Sequence, residues 1–112
     1  MLEPQAPPRG ERLSPQMYWI LVALRRGDNH GYALINVVNE LNGGMRYAAG
    51  SIYPAIERLL NRGLIEEIAD YDHGVPYRRA YRMTSVGQAR LAEEVATHEH
   101  AAQMGRNALQ GP

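Results

Sequence analysis

Ser51-Ile52-Tyr53-Pro54-Ala55-Ile56-Glu57-Arg58-Leu59-Leu60-Asn61-Arg62-Gly63-Leu64-Ile65 is the stretch whose pattern decides the architecture. Ile52, Ala55, Ile56 and Leu59 recur at helical spacing, so this segment is a helix with one buried face. Its start falls somewhere in Ala48 to Ser51. Pro54 then belongs in the first turn, where a missing N–H costs little. Gly63 followed by Leu64 is a stop: a left-handed glycine, with a leucine folded back on the last turn. On a helical wheel Ile52, Ala55, Ile56, Leu59 and Gly63 gather on one side, flanked by Leu60. Gly50, Ser51, Pro54, Glu57, Arg58 and Asn61 gather opposite, with Tyr53 and Arg62 at the borders. Small residues at a helix N-terminus let the backbone approach a duplex, and the free N–H groups there attract phosphate. Arg58 and Asn61 are residue types that read base edges in a major groove. Glu57 is repelled by phosphate, although it is able to accept a hydrogen bond from cytosine. An ordinary amphipathic surface helix explains the same wheel equally well. Tyr53 fits either a phosphate-contacting hydroxyl at the rim or an aromatic at the core edge.

On the N-terminal side, two further helices are written into the chain. Ser14-Pro15 is a start signal, an N-cap followed by proline at the first helical position. Met17, Ile20, Leu21 and Leu24 then mark a buried stripe that Gly27 ends. Asp28-Asn29-His30 supplies polar caps for a second helix starting near Gly31. Its stripe is Leu34, Ile35, Val38 and Leu41, and Asn42-Gly43-Gly44 stops it. Residues 1 to 13, rich in Pro and charge, are expected to be a flexible tail.

On the C-terminal side the period changes. Leu64 to Tyr71 and Tyr77 to Met83 are short segments rich in Ile, Tyr and Arg, joined by Asp72-His73-Gly74-Val75-Pro76. They predict a β-hairpin with its turn near Gly74. Alternation puts Tyr77, Arg79, Tyr81 and Met83 on one face, with Tyr81 and Met83 toward the core, and Arg78, Ala80 and Arg82 on the other. Arg78 and Arg79 lie near the turn, where such a wing meets a phosphate backbone. The first strand carries Glu66, Glu67, Asp70 and Asp72, so cross-strand salt bridges are an alternative use of these arginines, and the expected one for Arg82. Thr84 or Ser85 caps a last helix running to about Met104, with Gly105 to Pro112 frayed.

Composition narrows the classes. The chain has 112 residues, 45% of them hydrophobic, which suits one domain with a small core. It has no cysteine, which excludes a disulfide framework, a thiolate metal site and a thiol nucleophile. It has no apolar run long enough to span a bilayer, and a cytoplasmic location is expected. Twelve basic residues, all arginine, balance twelve acidic ones. Zero net charge argues against a strong non-specific nucleic-acid binder but leaves a specific one open, because local placement outweighs the sum. No Ser-His-Asp set, phosphate loop or metal cluster is present, so catalysis, cofactor and metal are not expected.

On the last helix Gln88, Leu91, Ala92, Val95, His98, Glu99 and Ala102 form one stripe. The helix outruns the domain it would cover, so packing against a twin is its natural use. His98 and His100, two residues apart, point their rings about 200° apart and cannot share one ion within a subunit. Trp19, beside the core stripe of the first helix, reads as a core residue.

Three short helices, a hairpin and a long closing helix form a mostly α fold with a small β-hairpin: a winged helix-turn-helix with a C-terminal dimerisation helix. The divisions are residues 1–13 (tail), 14–83 (winged domain), 84–104 (dimerisation helix) and 105–112 (tail). Here the residues resemble a known family. Ser51 to Leu59 with Gly63-Leu64-Ile65 is similar to the recognition-helix signature of PadR-type transcriptional regulators. His30-Gly31-Tyr32 resembles their second-helix start. Arg78-Arg79-Ala80-Tyr81-Arg82-Met83-Thr84, with Gly87 after it, resembles their wing and the start of the last helix. The similarity covers about Ser14 to Leu91, and the single C-terminal helix resembles the short subfamily. It departs at Ala80, where the family often has an aromatic, and near Tyr47-Ala48, where it often has a Ser or Thr cap.

The resemblance implies a dimeric repressor on a pseudo-palindromic operator. Ser51, Tyr53 and Pro54 match the DNA-facing start of the recognition helix, Arg78 and Arg79 match the basic wing, and the final helix joins the dimer. A small aromatic effector is a further expectation, with Trp19 as its candidate contact. A winged-helix protein-interaction module that never touches DNA is the competing reading, favoured by the zero net charge and Glu57.

Overall fold

A computed structural model describes residues 12–27, 30–43, 46–68 and 79–111. The elements run α1 (Pro15–Arg25), α2 (Gly31–Leu41), α3 (Ala49–Asn61), β1 (Ile65–Ile68), β2 (Ala80–Met83) and α4 (Ser85–Gln110). The first three helices pack around one core, the hairpin closes its side, and α4 leaves from the hairpin base.

α1 starts as its sequence dictates. The Ser14 hydroxyl accepts from the Met17 N–H at 3.2 Å, and Pro15 occupies the first helical position. Met17, Ile20, Leu21, Ala23 and Leu24 are buried. They meet Leu34 and Val38 of α2 and Ile52, Ala55, Ile56 and Leu59 of α3 in a single cluster. Ile35 and Leu41 of α2 pack at its edge. His30 holds the N-cap position of α2 without a side-chain cap. Its backbone instead forms a bridge to Ala80, and the Gly31 N–H donates to the Arg79 carbonyl at 3.0 Å. The start of α2 is therefore fastened to the outer edge of β2.

That bridge corrects the expected alternation in the second strand. Ala80 and Tyr81 are both buried, Arg82 is exposed and Met83 is intermediate. Ala80 is paired in the sheet plane with Ile68 on one edge and His30 on the other, and its small side chain is fully buried although its face was expected to be open. The strands pair antiparallel, Ile65 with Met83 through Ile68 with Ala80. The turn expected near Gly74, with Tyr77 and Arg78, lies outside the described residues.

Three further boundaries differ from expectation. Pro54 is the sixth residue of α3, not part of its first turn. The helix loses one backbone bond there, and both Pro54 and its would-be partner Gly50 are exposed, so water is available to the freed carbonyl. The segment ahead of α1 is anchored at its end: Leu13 is buried in the core cluster and Arg12 is bonded to α4. Finally, α4 continues through Gly105 to Gln110. A glycine in a helix interior costs only about 1 kcal/mol. Good helix formers surround this one, and side-chain bonds from Gln103 to Asn107 and from Arg106 to Gln103 span it.

The junction between the three-helix core and α4 is tight. Gly63 adopts φ 71° and its N–H closes on the Leu60 carbonyl, while the Leu64 N–H bonds the Leu59 carbonyl, which ends α3. Thr84 accepts from the Gly87 N–H at 3.0 Å and donates its hydroxyl to the Gly63 carbonyl at 2.7 Å. Its own N–H bonds the Leu64 carbonyl at 3.0 Å. A Cβ at Gly87 would collide with the Leu64 carbonyl oxygen, so only glycine lets α4 cross the chain this closely.

Candidate nucleic-acid interface

The wheel of α3 is realised. Ile52, Ala55, Ile56 and Leu59 face the core. Gly50, Pro54, Glu57, Arg58 and Asn61 are exposed, and Ser51 is half-buried at the helix start. Tyr53 is 48% exposed, which removes the core-edge reading of its ring. The first turn has no side-chain cap, since Ala48 stands at the cap position. Ser51 donates its hydroxyl back to the Ala48 carbonyl at 2.9 Å. Hence the face that opens α3 is small, uncapped and free of acidic groups in its first turn. Sequence reasoning missed the connection that sets its angle. Asn39 of α2 accepts from the Tyr47 N–H at 2.7 Å and donates to the Tyr47 carbonyl at 3.3 Å. That pair of bonds holds the interval between α2 and α3. An asparagine in a helix interior beside a glycine-rich stop was the available signal.

Beside α3 the base of the hairpin carries its charges in pairs. Arg82 donates to Glu66 at 2.6 Å, the cross-strand bridge its position predicts. Arg79 lies 3.9 Å from Glu67, with both side chains about half exposed or more. The Tyr81 hydroxyl, then the Glu67 and Glu57 carboxylates, stabilise the charged form of Arg79 and push it further above its ordinary range. Burial raises the Tyr81 phenol, against the smaller downward pull of Arg79. Arg79 is thus a permanent cation beside the outward face of α3, with carboxylates from two elements near it.

α4 divides its expected stripe. Gln88, Ala92, Val95, Glu99 and Ala102 are on the open side, whereas Leu91 packs against the domain core. The His98 ring turns onto α1, 4.8 Å from the Tyr18 ring at 71°. The inward face holds a group that the stripe did not anticipate. Glu94 is fully buried and receives two Arg12 contacts at 3.1 and 3.3 Å and Arg90 at 3.3 Å, with His98 at 3.7 Å. Burial raises its pKa, but Arg12, the Leu13 N–H and Arg90 together outweigh burial and hold it below the ordinary glutamate range.

Next to this node, Leu13, Pro15, Tyr18, Trp19 and His98 line a cavity of about 300 Å³ that opens to solvent. The Tyr18 and Trp19 rings meet edge to face at 5.2 Å. Trp19 therefore borders a hollow between α1 and α4 while packing against the core at its other edge. No helix among the described residues is long and apolar enough to cross a membrane.

The family model of the PadR-like transcriptional regulators matches residues 20–93. The chain belongs to the PadR-like family. That family is one of transcriptional regulators, not of enzymes. Among solved structures, a PadR-like regulator from Bacillus cereus shares 28% identity at a TM-score of 0.73, covering 86% of this chain and 92% of that one. A PadR family regulator from Eggerthella lenta shares 29% identity at 0.63, covering 84% and 80%. The BpsR regulator of Bordetella bronchiseptica shares the fold at 20% identity and a TM-score of 0.66, covering 85% of this chain and 66% of its own. Curated proteins gave no match. The fold of this PadR-like chain is accordingly a winged helix-turn-helix.

Proposed function

We propose that this PadR-like chain is a dimeric repressor. In this reading the outward face of α3 enters the major groove of an operator while the hairpin grips the adjacent phosphates. The observation that carries it is the uncovered face of α3, small at its start and polar beyond, set beside the exposed Arg79. Gly50, Ser51, Tyr53 and Pro54 admit the backbone to the groove, Arg58 and Asn61 read base edges, and Arg79 with Arg78 contacts phosphate. The open side of α4, with Gln88, Ala92, Val95, Glu99 and Ala102, meets a second copy, and Leu91 and His98 border that contact. From His98 to Gln110 every residue of α4 is exposed, which leaves its far half for a partner helix to cover.

The cavity at Tyr18 and Trp19 suits a flat aromatic effector, since two rings and Leu13 offer stacking surface and His98 offers a polar edge. In the fold relative BpsR, DNA binding is regulated by 6-hydroxynicotinic acid.

One experiment tests the reading: enrichment of genomic DNA bound by the purified protein, followed by binding titrations on the enriched fragment. The expected site is a pseudo-palindrome with half-sites about 10 bp apart. Arg79→Ala weakens binding to all sequences and lowers the salt slope by about 0.9, the value of one phosphate contact. An unchanged slope removes Arg79 from the interface, and no enriched fragment leaves the protein-interaction reading standing. Adding small aromatic acids to the same titration tests the effector. The expected result is release of DNA together with quenching of Trp19, the only tryptophan in the chain.

A further inference from the structure

From the pairing at the hairpin base we infer that Glu67 masks Arg79 in the free protein and thereby holds down the affinity of the reading face for any duplex. This inference rests on the DNA-binding reading above. Arg79 is the described arginine nearest to a wing contact with phosphate, and it is not idle: the Glu67 carboxylate lies 3.9 Å from its guanidinium. Both groups are on the surface, the arginine side chain 62% and the glutamate 49% exposed, so the pair is free to open. Glu57, on the outward face of α3, adds a second carboxylate to the field at Arg79. Arg79 can give a phosphate its full charge only after leaving Glu67.

The geometry explains why the pair is one of masking rather than of architecture. Exposed ion pairs contribute little to stability, because water and salt screen them and both side chains must be ordered. Glu67 is on β1, registered with Tyr81, and Arg79 stands just ahead of β2, two residues from that partner, so the two are diagonal neighbours. The hairpin is already zipped by its backbone pairing and by the shorter Arg82–Glu66 bond. Removing Glu67 therefore leaves the fold intact. What changes is the charge presented to DNA: the described surface beside α3 offers Arg58 and Arg79 against Glu57 and Glu67. A regulator that must leave bulk DNA quickly gains from such a balance, because phosphate affinity is the part of binding that every sequence shares.

The test is a double-variant cycle on the full chain, with Glu67→Gln, Arg79→Ala and the two combined. Affinity is measured by fluorescence anisotropy on a random-sequence duplex and on the enriched genomic fragment at modest salt. Glu67→Gln is expected to tighten binding to both duplexes by a similar factor, about 3-fold, with an unchanged thermal midpoint. In the Arg79→Ala background the same change is expected to have an effect under about 1.5-fold, because there is no arginine left to unmask. Unchanged affinity in Glu67→Gln overturns the proposal. So does an equal gain with and without Arg79, which would make Glu67 a simple repeller of phosphate. If wild type and Glu67→Gln both bind no duplex, the DNA-binding reading falls instead, and the masking falls with it.

Discussion

Two sets of ion pairs lie about the same fold, and they do opposite work. At the hairpin base, Arg82–Glu66 and Arg79–Glu67 are open to water on all four side chains. At the inward face of α4, Glu94 is sealed from water and gripped by Arg12 and Arg90. An exposed pair is worth little and exchanges partners readily, which is what the proposed masking of Arg79 by Glu67 requires. A buried pair cannot open without stranding a charge, so it fixes geometry. In this chain Glu94 and Arg90 form the buried part of the set, Arg12 reaches the same carboxylate from the surface and ties the segment before α1 to α4, and the exposed set lies at the hairpin base.

The largest expected break in that contrast is Glu94→Ala. It removes the buried carboxylate that holds Arg12 and leaves Arg90 with Glu93 at 3.1 Å as its carboxylate partner, and should cost about 2 kcal/mol of folding free energy by urea denaturation. A loss below about 1 kcal/mol would show that the node is not structural.

A smaller effect comes from acid. The Glu94 pKa is depressed in the folded chain, so its stabilisation is complete above the ordinary glutamate value of about 4.3 and is lost as pH falls through the lowered one. Wild type should therefore lose thermal midpoint on acidification more steeply than Glu94→Gln, followed by circular dichroism. Parallel curves would mean that other carboxylates carry the acid sensitivity.

The smallest change is expected at the hairpin: Glu66→Gln takes the charge out of a 2.6 Å pair, leaving an amide oxygen that still accepts from Arg82, and should shift stability by less than about 0.5 kcal/mol. A shift comparable with that of Glu94→Ala would erase the distinction between the two sets.

The same contrast explains what was legible in the sequence. The core stripes of α1, α2 and α3 were, because apolar spacing alone places Met17, Leu34, Ile52 and their neighbours. The outward face of α3 followed as the complement of its buried face, and the Arg82 bridge followed from strand pairing. Glu94 was not legible. A glutamate on a charged helix looks solvated, and its partner Arg12 is 82 positions away in a stretch that composition marks as a tail. Ala80 was missed because alternation assumes one buried face and a free strand edge, whereas the start of α2 is bridged to that edge through His30 and Ala80 is buried there. Pro54 and Gly105 were read as markers of helix limits. Each is a penalty of finite size that the rest of its helix outweighs.

Thr84 gives the molecule a mechanical property. One hydroxyl is shared between the turn that follows α3, through Gly63, and the first turn of α4, through Gly87. With the Thr84 N–H on the Leu64 carbonyl and α4 crossing that carbonyl at Gly87, the angle between the two helices is set by short-range bonds at one residue rather than by the length of a connecting loop.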